Sequence, residues 1–257
     1  MRPADLPLPA PGDAWALFLD FDGTLAEIAP TPDAVHVAPE LPSLLRALHT
    51  RLGGALAVVS GRTITDIDQL LAPARLPVAG VHGLERRDGV GELYTVGELP
   101  AGLDGLRRRL HALAAEDPAL LVEDKGRSVV LHYRRAPHRA DALLRLVEAE
   151  MRTLDGYHLL AGKMMLEAKP AAADKGHAVD AYMREPPFAG RRAVFAGDDV
   201  TDEDAFAVVQ RLGGLAIKVG DGDTRADARC GSVAALHRWL RAVLAQHPPA
   251  CSKESDQ

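Results

Sequence analysis

The sequence predicts an α/β fold, a doubly wound parallel sheet that carries an inserted α+β cap domain. Three observations support this prediction. Short apolar runs alternate with helical patterns from residue 14 to about 100, and the same alternation returns after Pro170. Between these halves the pattern changes to helix, hairpin, helix, hairpin, which is typical of an α+β unit. We therefore expect a core made of residues 1–100 and 170–257, with the cap at residues 101–169.

The first half of the core contains three predicted strands and two predicted helices. The strands are short apolar runs, which suit a parallel sheet because helices cover both of its faces. Leucines at helical spacing predict the first helix, and Gly53 and Gly54 predict its end. In chain order the elements are a strand at 14–19, a helix at 41–52, a strand at 55–59, a helix at 63–71 and a strand at 77–81.

The predicted cap and the second half of the core follow. We expect Asp174 to cap the first helix after the insertion, because its carboxylate can accept a backbone N–H. The cap elements are a helix at 103–113, strands at 120–123 and 128–133, a helix at 142–151, and strands at 157–161 and 164–167. The returning core elements are a helix at 174–183, a strand at 193–196, a helix at 203–211, a strand at 215–219 and a closing helix at 232–244.

The composition indicates a globular protein that has no nucleic-acid or membrane partner. The 257 residues are 47% hydrophobic and 26% charged, with a formal net charge of −6. Nucleic-acid binders usually carry a basic balance or a basic face, and neither is evident here. No apolar run approaches the roughly 18 to 20 residues that a membrane helix needs. We expect the protein to be a monomer.

The two ends of the chain and its cysteines lead to three further expectations. The N-terminal segment MRPADLPLPAPG has no apolar signal core and is expected to form a loose arm. The tail after His247 is polar and is expected to be disordered. Cys230 and Cys251 are too few for a disulfide framework, so we expect a reducing, cytoplasmic location.

The most informative motif is DFDGTL at residues 20–25, directly after the first predicted strand. Asp20 and Asp22 would therefore lie in the crevice where open α/β sheets bind their ligands. Two crowded carboxylates repel each other and lose hydration, so the pair is costly unless a metal ion or a reaction uses it. The alternative is that Asp22 and Gly23 only turn the chain, but two acids after a buried strand favour the functional interpretation.

Further polar groups follow predicted strands or begin predicted helices. Because parallel strands bring their carboxyl ends to one edge, we expect these groups to meet. Several carboxylates without histidine or cysteine make a hard oxygen site, which suits Mg²⁺. A carboxylate beside a metal-bound phosphorus is a competent nucleophile, and a second carboxyl group can act as general acid and base. The groups are Ser60 and Arg62 after the second strand, Lys175 at a helix start, and Asp198, Asp199 and Asp202 after the strand at 193–196.

DFDGTL, Ser60, Lys175 and GDDVTDE match, in order and context, the four motifs of the haloacid dehalogenase superfamily of phosphatases. The chain resembles this superfamily over nearly its whole length. The resemblance implies that Asp20 is the nucleophile that forms an aspartyl-phosphate, and that Asp22 is the general acid and base. Ser60 and Lys175 would hold the phosphoryl group. The implied Mg²⁺ ligands are Asp20, the backbone carbonyl of Asp22, and Asp198, with Asp199 and Asp202 in support.

Within this superfamily, the segments 24–30, 80–86, 163–170 and 197–206 resemble the trehalose-6-phosphate phosphatase family. This resemblance implies a small sugar phosphate, trehalose 6-phosphate, as the substrate. The sugar-contacting positions of the cap would be Glu123, Lys125 and Glu167, whose charged groups suit sugar hydroxyls. We also assign Gly23 and Arg62 to substrate binding, whereas His82 either contacts the substrate or braces the loop after the third strand.

Three alternatives stay open at this point. The first keeps the chemistry and changes the substrate to sucrose phosphate, mannosylglycerate phosphate or a hexose phosphate. The second is a phospho-receiver signalling domain, which also groups acids, a hydroxyl and a lysine on a parallel sheet. Such domains are about half as long and lack an inserted cap. The third is a binding module without activity, although no residue of the four motifs is missing.

Overall fold

A computed structural model describes residues 6–10, 12–95, 100–172 and 174–246 of the chain. Within these residues there are seven α-helices and twelve strands, and the strands form one eight-stranded and one four-stranded sheet. The strands are β1 (Trp15–Leu19), β2 (Leu56–Val59), β3 (Val78–Gly80), β4 (Glu85–Arg87), β5 (Leu93–Thr95), β6 (Leu121–Asp124), β7 (Val129–His132), β8 (Tyr157–Gly162), β9 (Met165–Pro170), β10 (Arg192–Gly197), β11 (Leu215–Val219) and β12 (Ala228–Cys230). The helices are α1 (Leu41–Arg51), α2 (Ile64–Leu70), α3 (Leu103–Glu116), α4 (Ala140–Met151), α5 (Lys175–Tyr182), α6 (Asp202–Arg211) and α7 (Val233–Gln246).

The larger sheet has the strand order β12-β11-β10-β1-β2-β3-β4-β5. Its first six strands are parallel. Five of them were predicted, and the sixth, β12, was not. Every residue of β1 is buried between neighbours on both sides. The last two strands, β4 and β5, are antiparallel to their neighbours and were not predicted. Each has only three residues, and neither shows the buried apolar run by which the parallel strands are predicted.

This topology fixes where the candidate site residues lie. Because β10, β1 and β2 are adjacent and parallel, their carboxyl ends share one edge of the sheet. Asp20 directly follows β1, Ser60 directly follows β2, and Asp198 directly follows β10. Three segments that are far apart in the chain therefore place polar side chains next to one another.

The smaller sheet has the order β6-β7-β9-β8, and all of its strand pairs are antiparallel. Helices α3 and α4 pack on it, and their leucines form with the sheet a hydrophobic core separate from that of the larger sheet. The predicted order of helix, hairpin, helix, hairpin is confirmed. The assignment of residues 101–169 as one domain stays a prediction, and β9 itself continues to Pro170.

Local capping follows the sequence in two places. The Asp174 carboxylate accepts a hydrogen bond from the Gly176 amide at 2.6 Å, so the predicted cap of α5 is confirmed. Thr63 and Asp66 form a reciprocal capping box at the start of α2. Both caps fix the backbone beside residues that carry the predicted chemistry, because Lys175 follows Asp174 and Arg62 precedes Thr63.

The closing helix α7 is attached both to the N-terminal segment and to the loop after β1. The Trp239 indole N–H donates to the Pro7 carbonyl oxygen at 3.0 Å, and Leu6 is buried in the main core. The expectation of a loose N-terminal arm is therefore wrong for these residues, because apolar side chains in that segment have a core to join. His237 Nε2 bonds the carbonyl oxygen of Leu25 at 2.8 Å.

The disorder expected for the tail after His247 concerns residues outside those that the structure describes, and Cys251 lies in that tail. Residues 1–5 and 11 of the N-terminal segment, where a loose arm is expected, also lie outside the described residues. Among the helices that the structure does describe, none is long and apolar enough to cross a membrane.

Candidate active site

Three buried carboxylates form a cluster at the carboxyl edge of the larger sheet. Asp20, Asp198 and Asp202 each offer one carboxylate oxygen, and these three oxygens lie within 4.8 Å of one another. Lys175, at the first position of α5, donates hydrogen bonds to Asp20 Oδ1 and Asp202 Oδ1, both at 2.7 Å. The predicted convergence of the first, third and fourth motifs is present, and a second ammonium group, that of Lys163, contacts Asp198.

Burial and crowding perturb the pKa values of these groups. Burial, together with the charge of Asp202, raises the pKa of Asp20 well above its ordinary range, although Lys175 acts in the opposite direction. Burial also raises the pKa of Asp198. For Lys175, burial lowers the pKa, but the charges of Asp20 and Asp202 outweigh it and raise the pKa well above the usual value. Three ionised acids would outnumber the two ammonium groups that contact them, those of Lys175 and Lys163, and a bound cation would relieve the repulsion that raises these pKa values.

Two glycines let the acids approach one another. Gly23 has φ +83°, and a Cβ atom on it would overlap the Asp198 carboxylate. A Cβ atom on Gly197 would overlap the Asp202 carboxylate in the same way. Any side chain at either position would push an acid out of the cluster. Gly23 therefore supports Asp198 and is not among the residues that line the cavity described below.

Backbone and side-chain donors hold Asp198 and Asp202 in place. The buried Lys218 ammonium donates to the Asp198 carbonyl oxygen at 2.7 Å. The Asp199 amide donates to Asp202 Oδ2 at 2.9 Å, so the second carboxylate oxygen of Asp202 is also engaged. Asp202 is fully buried behind the cavity, which leaves Asp20 and Asp198 as the cluster members that line it.

Asp22 lies beside the cluster and is bound by Arg62. The guanidinium donates from Nε to Asp22 Oδ2 at 2.7 Å and from Nη2 to Asp22 Oδ1 at 2.8 Å. Arg62 Nη2 also donates to the Pro32 carbonyl oxygen at 3.1 Å. Ser60 Oγ accepts a hydrogen bond from the Arg62 amide at 3.1 Å, which leaves its hydroxyl proton available to a ligand.

A cavity separates this edge from the smaller sheet. The side of the larger sheet contributes most of the acidic groups together with apolar residues of the loop after β1, and the smaller sheet contributes both charged and apolar groups. Residues on the side of the larger sheet include Asp20, Asp22, Ser60, Arg62, His82, Lys175, Asp198 and Asp199. Residues on the side of the smaller sheet include Glu123, Lys125, Val130, His132, Arg134, Lys163, Met165 and Glu167. Of the residues predicted to form the site, all except Gly23 and Asp202 line the cavity.

Glu167 is the centre of a buried polar cluster on the smaller sheet. Its side chain is 0% exposed, and Oε1 accepts from Ser128 Oγ at 2.6 Å and from Lys125 Nζ at 3.4 Å. Oε2 bonds His82 Nε2 at 3.1 Å. Burial would raise the pKa of Glu167, but the charge of Lys125 and the contact with His82 outweigh it, so this pKa lies far below the usual range. Glu167 is therefore ionised and holds Lys125 by charge.

His82 connects the two sheets through this cluster. It follows β3, is 4% exposed, and has φ +55°, a left-handed conformation that is uncommon for a residue with a side chain. Burial lowers the pKa of His82 despite the neighbouring Glu167 charge. The neutral ring donates from Nε2 to Glu167, so its contact with Glu167 gives His82 a bracing role between the sheets.

A second carboxylate of the smaller sheet, Glu123, pairs with His132. The distance from His132 Nε2 to Glu123 Oε2 is 2.8 Å. Burial raises the pKa of Glu123, but the hydrogen bond from His132 and the charge of Lys125 outweigh this effect, so the pKa lies below its usual value. Glu123 and Lys125 line the cavity wall, where their side chains can accept from or donate to hydroxyl groups of a ligand.

The sequence did not single out three residues that take part in these contacts. Ser128 and His132 hold Glu167 and Glu123, and Lys163 reaches the larger sheet. Lys163 is part of one segment that carries the family resemblance, which was the available signal for it. For the others no local pattern exists, because each acts through a partner that is distant in sequence or on another strand. Arg134, for which the sequence leaves a contact with phosphate or sugar open, also reaches the larger sheet.

Comparisons with known proteins agree with this geometry. The family model described as trehalose-phosphatase matches residues 18–231. A probable trehalose-phosphate phosphatase of Sinorhizobium fredii is 48% identical over 91% of this chain and 87% of that protein. The trehalose-6-phosphate phosphatase of Escherichia coli is 44% identical over 89% of this chain and 86% of that protein.

Solved structures support the same assignment. A trehalose-6-phosphate phosphatase related protein superposes with a TM-score of 0.76 at 26% identity, covering 89% of this chain and 96% of the other. A haloacid dehalogenase superfamily phosphatase of Bacteroides thetaiotaomicron has the same fold, with a TM-score of 0.59 at 13% identity, over 95% of this chain and 99% of the other. The chain therefore belongs to the trehalose-phosphatase family and has the fold of haloacid dehalogenase-like hydrolases.

Proposed function

We propose that the protein is a Mg²⁺-dependent phosphatase that converts trehalose 6-phosphate and water to trehalose and phosphate. The observation that carries the proposal is the position of Asp20, which is bound to Lys175, lies next to Asp198, and faces the cavity below the smaller sheet. The names of the relatives supply the choice of sugar phosphate.

Asp20 is the nucleophile in this proposal. Lys175 holds Oδ1, so the Asp20 carboxylate is oriented before the substrate arrives. Attack on phosphorus forms an aspartyl-phosphate and releases the sugar oxygen, and attack by water then releases phosphate. The Ser60 hydroxyl and the Lys175 ammonium donate to the phosphoryl oxygens, on which negative charge accumulates.

Asp22 donates a proton to the leaving sugar oxygen and then accepts one from the attacking water. In the free protein both carboxylate oxygens of Asp22 are occupied by Arg62. Asp22 can reach a leaving oxygen only after this bidentate contact opens. We infer that Arg62 turns from Asp22 to the substrate when the substrate binds. This movement would account both for the contact with Asp22 and for the predicted role of Arg62 in substrate binding.

The residues at the cluster fit a magnesium ion. Asp20, Asp198 and Asp202 are hard oxygen donors, and the cluster contains no histidine or cysteine. When ionised, the three acids outnumber the two ammonium groups that contact them, those of Lys175 and Lys163. Asp20, the backbone carbonyl of Asp22, and Asp198 would hold the ion, supported by Asp199 and Asp202. When bound, Mg²⁺ neutralises charge on the phosphoryl oxygens and makes the phosphorus more electrophilic.

Residues 101–169 act as a cap in this proposal. Their sheet places Glu123, Lys125 and Glu167 opposite Asp20, and His82 ties Glu167 to the core. The cap selects the sugar and excludes bulk water while the core carries out the chemistry. We further propose that the protein works in the cytoplasm as a monomer, without a nucleic-acid or membrane partner.

A panel of sugar phosphates tests the substrate. Phosphate release is measured with excess Mg²⁺ or with EDTA, using trehalose 6-phosphate, sucrose phosphate, mannosylglycerate phosphate and glucose 6-phosphate. We expect trehalose 6-phosphate to have the highest kcat/KM and EDTA to stop its turnover. A clear preference for another sugar phosphate would replace the substrate and keep the chemistry. Release of only one phosphate per protein molecule would favour the phospho-receiver alternative.

Changing Glu167 to Gln should separate sugar recognition from chemistry. The uncharged glutamine side chain cannot hold Lys125 in place by charge, so we expect kcat/KM for the sugar phosphate to fall about 10- to 100-fold. Turnover of a small aryl phosphate, which does not reach the cap residues, should change little.

The matched control for this change is Glu148→Gln, which alters an exposed glutamate on α4 of the same predicted cap. Both substrates should be hydrolysed normally by that control. Equal losses on the sugar phosphate and the aryl phosphate in the Glu167 variant would reject its role in sugar recognition.

A further inference from the structure

Lys163 lies in the two-residue turn that joins β8 to β9. Gly162 pairs with Met165 across the turn, so Lys163 and Met164 form its tip. Met164 has φ +62°, in the left-handed region that residues other than glycine rarely adopt. The turn thus keeps an unfavourable backbone conformation at the point where Lys163 leaves the smaller sheet. A strained backbone conformation persists only where the surrounding structure holds it, and such conformations are common at functional sites.

From this turn, Lys163 reaches an acid of the other sheet. Its Nζ donates to Asp198 Oδ2 at 2.6 Å, and its side chain lines the cavity. The Lys163 side chain remains 54% exposed, whereas that of Asp198 is 6% exposed. Because more than half of the Lys163 side chain stays in contact with water, the pair is screened and contributes little to stability, so stability alone gives no reason for the contact.

Arg134 holds the turn against the core. Its Nη1 donates to the Ala29 carbonyl oxygen at 2.7 Å, and its Nη2 approaches the Lys163 carbonyl oxygen at 3.4 Å. Ala29 belongs to the loop that forms the cavity wall on the side of the larger sheet. The turn is therefore attached at its backbone, while the Lys163 ammonium is free to exchange one oxygen partner for another.

We propose that Lys163 is a phosphate-binding residue that the smaller sheet delivers to the site, and that it pairs with Asp198 until a phosphorylated substrate arrives. The inference rests on the proposed phosphatase function. The same lone pair of Asp198 Oδ2 cannot both bind a metal ion and accept the hydrogen bond from Lys163. A phosphoryl group brings new anionic oxygens next to Asp20, and the three N–H donors of Lys163 suit them.

The proposal gives Lys163 opposite effects on two ligands. In the free protein, Lys163 competes with Mg²⁺ for Asp198 and weakens metal binding. Once phosphate is bound, the same ammonium group binds the phosphate and holds the turn over the site. If Lys163 only supported the fold, its removal would not strengthen Mg²⁺ binding and at the same time weaken phosphate binding.

The test is calorimetric and does not depend on turnover. Magnesium chloride is titrated into metal-free wild-type protein and Lys163→Met, and inorganic phosphate is then titrated in the presence of saturating Mg²⁺. We expect the variant to bind Mg²⁺ about three-fold more tightly, since the competing ion pair of Lys163 with Asp198 is lost. We expect phosphate to bind it about ten-fold more weakly, since one charge-assisted hydrogen bond is lost. Lys163→Arg should recover most of the phosphate affinity.

Arg145→Met is the matched control, because it removes a positive charge from an exposed position of α4 that does not line the cavity. It should leave both affinities at the wild-type values. Unchanged Mg²⁺ and phosphate affinities in the folded Lys163 variant would overturn the proposal, as would weaker binding of Mg²⁺. If the wild-type protein did not hydrolyse trehalose 6-phosphate, the proposed function would fail, and the two titrations would still decide whether Lys163 binds phosphate.

Discussion

Replacing Asp20 with asparagine is expected to lower phosphate release by a factor of about 10⁴ or more, while the protein stays folded. An amide nitrogen or oxygen does not form a covalent phosphoryl intermediate as a carboxylate does. The asparagine oxygen can still accept the hydrogen bond from Lys175. Phosphate release from trehalose 6-phosphate at saturating Mg²⁺ measures the effect.

The same change should leave stability unchanged or increase it when no divalent cation is present. Burial and the neighbouring acids raise the pKa of Asp20, so its ionised form destabilises the fold relative to the unfolded chain. Removing this charge relieves the repulsion from Asp198 and Asp202. Thermal unfolding in EDTA checks this expectation, and a lower Tm would contradict it.

The control for Asp20→Asn is Asp33→Asn, the same chemical change at an exposed residue next to the cavity wall. That control should retain wild-type turnover. If Asp20→Asn kept more than about a tenth of the wild-type activity, Asp20 could not be the nucleophile. Mass spectrometry should accompany the assay, because deamidation of the asparagine would restore the aspartate.

Replacing Lys175 with methionine is expected to affect both stability and turnover. Lys175 is 3% exposed and is hydrogen-bonded to Asp20 and Asp202. Without it three buried carboxylates repel one another, and removing one partner of a buried ion pair typically costs about 3–5 kcal/mol of unfolding free energy. Turnover should fall about 10²- to 10³-fold because a donor to the phosphoryl oxygens is lost.

A double variant and a titration with Mg²⁺ separate charge balance from packing. If repulsion among the acids is the cause, Lys175→Met should lose less stability in the Asp20→Asn background than in the wild type. Mg²⁺ should also raise the Tm of Lys175→Met more than that of the wild-type protein, because a bound cation replaces the missing charge. Equal losses in both backgrounds would show that Lys175 acts through packing alone.

The parallel part of the fold could be predicted because burial leaves a local signal. A strand such as β1 is apolar on both faces, so its sequence alone identifies it and places Asp20 at its end. The strands β4 and β5 gave no such signal, because each has three residues and takes its place only by pairing with its neighbour. The same limit applies to β12, whose three residues pair with β11.

Within the candidate site, the core motifs were predictable and most of the cap contacts were not. Asp20, Ser60, Lys175 and Asp198 follow strands or begin a helix, and the topology of a parallel sheet brings such positions together. The contacts of Lys163 with Asp198 and of His82 with Glu167 depend on how two separate sheets face each other. No periodicity or spacing encodes that relation, so it had to be seen in three dimensions.

The contact between His237 and the Leu25 carbonyl oxygen links α7 to the turn that presents Asp20 and Asp22. The match to the family model ends at residue 231, before α7 begins. Deleting α7 would thus remove none of the proposed reactive groups and yet free the backbone on which both aspartates depend. A protein trimmed to the matched region would be a poor substitute for the longer chain, since its nucleophile would lose a distant anchor.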